Sequence, residues 1–149
     1  EHVSELAENV KQHFLFRAQR EGKEICLSGS GEITLLCDRT WIIEAVSNLV
    51  KNALDHTEKG SFVRIEWQAF ASVVQITIKD NGCGIHPEDL HHIFKRFYRS
   101  RFSKDTQGIG LGLPLAKAIV EAHNGTIEAD STLGIGTSIT INFLIPSKF

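Results

Sequence analysis

The fold is decided by residues 41–57, which read Trp-Ile-Ile-Glu-Ala-Val-Ser-Asn-Leu-Val-Lys-Asn-Ala-Leu-Asp-His-Thr. Asp38 precedes this stretch as a helix N-cap, and apolar residues recur within it at helical spacing. The sequence therefore predicts a helix that runs to about His56. Four polar residues spaced four apart form a row beside the apolar face: Glu44, Asn48, Asn52 and His56. Burying an amide beside a core costs free energy unless it has a partner, so two interpretations stay open: solvent satisfies the two Asn, or they await a cation and a polar ligand.

The composition is that of an ordinary globular domain. The chain has 149 residues, of which 42% are hydrophobic and 23% charged. Its net charge of −2 argues against a general binder of nucleic acid or membrane surfaces. Three scattered cysteines, Cys26, Cys37 and Cys83, favour free thiols in a reducing compartment, and the seven His show no zinc-binding spacing. Because the chain begins at Glu1 and contains no Met, we expect it to be a fragment of a longer protein.

The remaining patterns predict an α+β fold. Helical periodicity marks residues 3–20, a short helix from Pro87, and a helix that follows the glycines at 108–112 and runs to about His123. Alternation of apolar and polar residues predicts six strands, at 25–28, 32–37, 62–70, 73–79, 126–131 and 137–145. Clean alternation is typical of a largely antiparallel sheet with one covered face. We therefore expect a two-layer sandwich with a mixed, mostly antiparallel sheet and about three main helices on one face.

Two polar residues fall in the inward phase of this sheet. Asp80 continues the inward set of the strand at 73–79, and Thr137 lies in phase with the inward residues of the last strand. A carboxylate on the covered side is costly without a partner. The nearby Gly82/Gly84 pair and the GxGxG at 108–112 are weak signals when taken alone, because turns and helix starts also explain them.

The conjunction of five motifs is far more specific. In order along the chain stand NLVKNALDHT, DNGCGI, FKRFY, GIGLGLPLA and GIGT. Together they resemble the ATP-binding catalytic domain of sensor histidine kinases, whose superfamily includes gyrase B and MutL ATPases. The resemblance extends over nearly all of residues 1–149, firmly from about 32 to 145. It implies the Bergerat two-layer α/β sandwich, and the helix at 1–20 would continue from a dimerisation segment.

The resemblance also implies a site for Mg²⁺ and ATP. Asn52 matches the family's magnesium ligand, and Asn48 would face the triphosphate; these two are the expected catalytic residues. Asp80 matches the residue that accepts a hydrogen bond from the adenine amino group, and Thr137 the residue that holds a water against the base. Residues 99–107 would form a lid, within which Arg99 and Lys104 either reach the phosphates or are solvated loop charges. The other residues implied for ATP are Asp55, His56, Gly82, Gly84, Ile85, Gly108, Gly110, Leu111 and Gly112.

The chain departs from the family at two places. Many members carry Lys-Tyr where this chain has Asp55-His56, so the phosphate contact of that Lys comes from Lys51 or from lid cations, or is missing. Hydrolysing relatives carry a Glu where this chain has Asn48, and an amide cannot serve as a general base at neutral pH.

The implied function is that of a protein histidine kinase, catalytic portion. The domain would bind Mg-ATP and pass the γ-phosphate to a His on an upstream dimerisation domain, and from there to a response regulator. None of the seven His of this chain has the context of a phosphoacceptor. The fragment would be monomeric and the full-length protein a homodimer, anchored in the bacterial plasma membrane with this domain in the cytoplasm. The alternatives are a regulatory nucleotide-binding module without phosphotransfer, kept open by Asp55-His56, and an ATP-hydrolysing relative, disfavoured by Asn48.

Overall fold

The fold is formed by four helices and five strands among the residues that the computed structural model describes, 1–85, 87–90, 92–95 and 112–145. The helices are α1 (Val3–Glu21), α2 (Arg39–Asp55), α3 (Pro87–Leu90) and α4 (Gly112–Ala122). The strands are β1 (Glu24–Ser28), β2 (Phe62–Phe70), β3 (Val73–Asp80), β4 (Gly125–Thr132) and β5 (Gly136–Leu144). No helix within these residues is both long and apolar enough to cross a membrane.

The five strands form one sheet in the order β1-β2-β3-β5-β4. β1 pairs with β2 in parallel, and the other three pairs are antiparallel. The predicted mixed, mostly antiparallel sheet is thus confirmed. Strands β3 and β5 lie in the interior of the sheet, and each is paired along both of its edges.

Helix α2 is the centre of the helical layer. Its start is fixed by Asp38, whose carboxylate accepts a hydrogen bond from the Trp41 N–H at 3.2 Å, as the sequence predicts. Its apolar face is buried between the sheet and the flanking helices α1 and α4. The buried residues of that face are Ile42, Ala45, Val46, Leu49, Val50, Ala53 and Leu54.

The inward faces of the strands supply the other half of the core. Buried side chains alternate along the three middle strands: Val63, Ile65 and Trp67 on β2, Val74, Ile76 and Ile78 on β3, and Ile139, Ile141 and Phe143 on β5. The helices cover this face, and polar side chains occupy the opposite one. The predicted two-layer α+β architecture is therefore confirmed.

One predicted strand, at residues 32–37, is wrong. The segment makes a single antiparallel bridge, between Thr34 and His2, just before α1 begins. Its alternation is real, since Leu35 is buried, and its backbone hydrogen-bonds to residues 1–3. Those few residues are too short a partner for a strand, because the chain turns into α1 at Val3.

Candidate functional site

The inward ends of β3 and β5 bring Asp80 and Thr137 together as directly paired residues. The Oδ1 atom of Asp80 accepts a hydrogen bond from the Gly82 N–H at 2.9 Å, and the backbone N–H of Thr137 also hydrogen-bonds to the carboxylate. Burial raises the pKa of the Asp80 carboxyl above its ordinary value, against the opposing effects of those two N–H groups and of His56. Two polar residues of the covered face, Asp80 and Thr137, are thus neighbours near the ends of β3 and β5.

Ser131 completes this corner, and sequence analysis missed it. Its hydroxyl lies 3.0 Å from the Thr137 hydroxyl and 3.0 Å from the Gly136 carbonyl oxygen, and it accepts a hydrogen bond from the Ile85 N–H at 2.7 Å. Ser131 pairs directly with Thr137 across β4 and β5. The register of the predicted closing hairpin could have revealed it, because a Ser opposite an inward Thr shares its face.

Gly82 and Gly84 lie where the backbone after β3 passes close to other parts of the chain. A Cβ on Gly82 would stand 2.6 Å from the His56 carbonyl oxygen and 3.0 Å from Asp80 Oδ1. Gly84 has φ +80°, and a Cβ there would collide with the backbone of Thr132. Both predicted site glycines, together with Ile85, therefore lie beside the Asp80–Thr137 pair.

The polar row lies along α2, and its last member, His56, is the C-cap of that helix. Asn48 and Asn52 are half-buried, whereas Glu44 and His56 are exposed. The Nδ2 atom of Asn48 is buried and has no hydrogen-bond partner among the residues that the structure describes. An unpaired buried N–H₂ group is costly, so Asn48 presents a donor for which the described protein supplies no acceptor.

Asp55 is bound to α1. Its Oδ1 accepts a hydrogen bond from Arg17 Nη2 at 2.7 Å, and its Oδ2 one from Lys51 Nζ at 3.0 Å. Arg17 also binds Glu21 at 2.7 Å, so these charges form a partly buried network between α1 and the last turn of α2. The structure therefore pairs Lys51, one sequence candidate for a phosphate contact, with Asp55.

Gly112 is the first residue of α4, as the glycine motif predicts. The other glycine-motif and lid residues predicted for ATP, Arg99, Lys104, Gly108, Gly110 and Leu111, lie outside the described residues, as does the predicted loop 99–107. Within the part of the chain that is described, no three His, Cys, Asp or Glu side chains are grouped to hold a metal ion.

The fold and this corner define a class of protein. A model of the histidine kinase-, DNA gyrase B-, and HSP90-like ATPase family matches residues 37–147, and the chain belongs to that family. As a member of a family of ATPases, it carries an ATP-binding domain.

Particular relatives are sensor histidine kinases. YvrG of Bacillus subtilis (strain 168), a sensor histidine kinase, is 38% identical over 137 residues, which span 91% of this chain but 24% of YvrG. The mycobacterial sensor histidine kinase MprB superimposes with a TM-score of 0.85 at 25% identity, covering 99% of both chains. Full-length ShkA, solved in complex with AMPPNP, gives a TM-score of 0.86 at 25% identity over 99% of this chain and 31% of that one. The chain thus spans about a quarter of the curated relative and resembles its histidine kinase ATPase domain.

Proposed function

We propose that this chain is the catalytic and ATP-binding domain of a two-component sensor histidine kinase. The single observation that carries the proposal is the pairing of Asp80 with Thr137 at the covered end of the sheet, beside Gly82 and Gly84. A partly buried carboxylate suits a ligand that donates a hydrogen bond, as the amino group of adenine does. The relative ShkA, in complex with AMPPNP, supports an adenine nucleotide as that ligand.

We infer that the phosphates and Mg²⁺ lie along the polar row of α2. The unpaired Nδ2 of Asn48 is a donor suited to a phosphate oxygen or to an ordered water beside the triphosphate. The amide oxygen of Asn52, one turn on, is a hard ligand of the kind that Mg²⁺ prefers alongside water and phosphate oxygens. The residues present therefore fit Mg-ATP. When bound, the metal would neutralise phosphate charge, and Asn52 would hold it.

Phosphoryl transfer needs little covalent chemistry from the protein, so the role of this domain is to position the nucleotide. Asp80 and Thr137 would fix the base, while Asn48, Asn52 and the first N–H groups of α4 would fix the phosphates. Asn48 cannot take a proton from water, which disfavours an ATP-hydrolysing function. The acceptor would be a His on the dimerisation domain of the same kinase, and the final acceptor a response regulator. We further propose that the full-length protein is a homodimer anchored in the bacterial plasma membrane, with this domain in the cytoplasm.

A regulatory nucleotide-binding module is the second candidate. It is favoured by Asp55, which stands where many family members have Lys and holds Arg17 and Lys51 in ion pairs instead. Such a domain would bind ATP without transferring phosphate.

The test adds ATP labelled at the γ-phosphate, with Mg²⁺, to this domain and to the His-bearing segment of the full-length protein. We expect acid-labile, base-stable label on that segment. ATP binding without label would favour the regulatory module, and absence of ATP binding would refute both functions.

Asn52→Ala should abolish Mg²⁺-dependent ATP binding and labelling together. The matched control is Asn142→Ala on the open face of the sheet, where the amide bonds to Gln75 and Glu128. If Asn52→Ala bound Mg-ATP as the control does, the assignment of Asn52 to the metal would be wrong.

A further inference from the structure

The Ser131 hydroxyl has three neighbours, and their chemistry fixes the direction of every hydrogen bond. The Ile85 N–H can only donate, so Ser131 accepts there, at 2.7 Å. The Gly136 carbonyl can only accept, so Ser131 gives its one proton there, at 3.0 Å. The third contact is with the Thr137 hydroxyl at 3.0 Å. Because Ser131 has no second proton to give, Thr137 is the donor in that hydrogen bond.

The hydroxyl proton of Thr137 is therefore used in its hydrogen bond to Ser131. The buried Thr137 oxygen can then offer only lone pairs to anything else that approaches it. Its paired neighbour across the strands, Asp80, is a carboxylate and likewise only accepts when ionised. The two side chains at this corner therefore present acceptors alone.

We propose that Ser131 is a positioning residue that makes Thr137 a hydrogen-bond acceptor and thereby selects a 6-aminopurine over a 6-oxopurine. The inference rests on the proposed ATP-binding function and deepens it. A 6-amino group donates, which matches two acceptors, whereas a 6-oxo group would set a third acceptor against them. A water molecule that gave both protons to Asp80 and Thr137 could accept a hydrogen bond from a 6-amino group but could give none to a 6-oxo group.

Loss of the Ser131 hydroxyl would free the Thr137 hydroxyl to rotate. Thr137 could then donate to a 6-oxo group, so the barrier against that base would fall. The Ile85 N–H and the Gly136 carbonyl would also lose a partner, which weakens the corner for every nucleotide. A purely structural role for Ser131 would lower the affinity for all purines alike, so the ratio between two purines is the informative quantity.

The experiment uses calorimetry with Mg²⁺ to measure dissociation constants for ATP and for inosine triphosphate, whose base carries an oxygen at the 6-position and a proton on N1. We expect wild type to prefer ATP and Ser131→Ala to reduce that preference by about fivefold to tenfold, the value of one hydrogen bond. Ser131→Thr, which keeps a hydroxyl, should retain the preference. If Ser131→Ala does not fold, Ser131→Cys provides a side chain of similar size with a much weaker donor and acceptor.

Thr140→Ala is the matched control, because Thr140 shares a 3.3 Å hydroxyl pair with Thr77 on the open face of the same sheet. It should leave the preference unchanged. If Ser131→Ala lost both nucleotides equally, or neither, the inference would be overturned while the ATP-binding function stood. If wild type failed to bind ATP, the proposed function and this inference would fall together.

Discussion

Replacing Gly82 with Ala should weaken nucleotide binding as well as destabilise the fold. The new Cβ would stand 2.6 Å from the His56 carbonyl oxygen, where ordinary contact begins at 3.4 Å, so something must move by about 0.8 Å. The backbone of His56 follows directly on α2 and cannot easily yield. The next nearest atoms are Asp80 Oδ1 at 3.0 Å and Thr57 Cγ2 at 3.1 Å, so part of the displacement falls on the acceptor proposed for the adenine amino group.

The expected loss of ATP affinity follows from the displacement of the Asp80 carboxylate. A misplaced hydrogen bond to a charged acceptor reduces affinity by about tenfold to a hundredfold. Overpacking at one methyl costs about 1 to 3 kcal/mol of unfolding free energy. The assays are calorimetric titration with Mg-ATP and urea denaturation of the free domain.

Gly60→Ala is the matched control. Gly60 has φ +90° and no atom within 4 Å of its Cβ position, so Ala there strains the backbone without touching the site. It should lower stability and leave ATP affinity unchanged. An affinity of Gly82→Ala indistinguishable from that of wild type would refute the placement of the base beside Asp80.

Three further changes have defined outcomes. Arg17→Ala removes two charge-assisted hydrogen bonds, to Glu21 and Asp55, and should lower the unfolding free energy by about 1 to 3 kcal/mol in urea; no loss would show that the network is dispensable. Asn48→Leu removes an unpaired buried donor, so the nucleotide-free domain should be as stable or more stable while ATP affinity falls about tenfold; a stability loss would reveal a structural partner. Because burial raises the pKa of the Asp80 carboxyl, the folded state binds the proton of that carboxyl more tightly than the unfolded chain does. The contribution of Asp80 to the unfolding free energy should therefore fall as the pH rises from the ordinary carboxyl pKa through the raised one. Asp80→Asn should remove this pH dependence, and identical profiles of unfolding free energy against pH for wild type and variant would contradict the reasoning.

Most of the elements that local patterns specify were predicted correctly from the sequence, the strand at 32–37 excepted. Alternation gave β2 at 62–70 with the bounds that the structure shows, and the Asp38 cap gave the start of α2. These signals succeed because period and capping are properties of a few consecutive residues. The same reasoning placed Asp80 and Thr137 inward, since side-chain phase follows from strand period.

Features that depend on contacts between distant parts of the chain could not be predicted from local patterns. Alternation at 32–37 showed which side chains face inward but not that this segment would hydrogen-bond to the short backbone of residues 1–3. The ion pair of Asp55 with Arg17 was not predicted, because the two residues are 38 positions apart in the chain. The register of the closing hairpin could have placed Ser131 opposite Thr137, but its contacts with the Ile85 N–H and the Gly136 carbonyl require the folded structure.

The position of β3 and β5 inside the sheet has a consequence for amide hydrogen exchange. Asp80 is the last residue of β3, and Thr137 lies at the start of β5. Each of these strands is hydrogen-bonded to a neighbouring strand on both sides, so their backbone opens only with the sheet as a whole. Amides of these strands should exchange among the slowest in the domain, before any nucleotide is added. The corner proposed for the base would then be rigid in the free protein, and its ordering entropy would be lost on folding and not on binding.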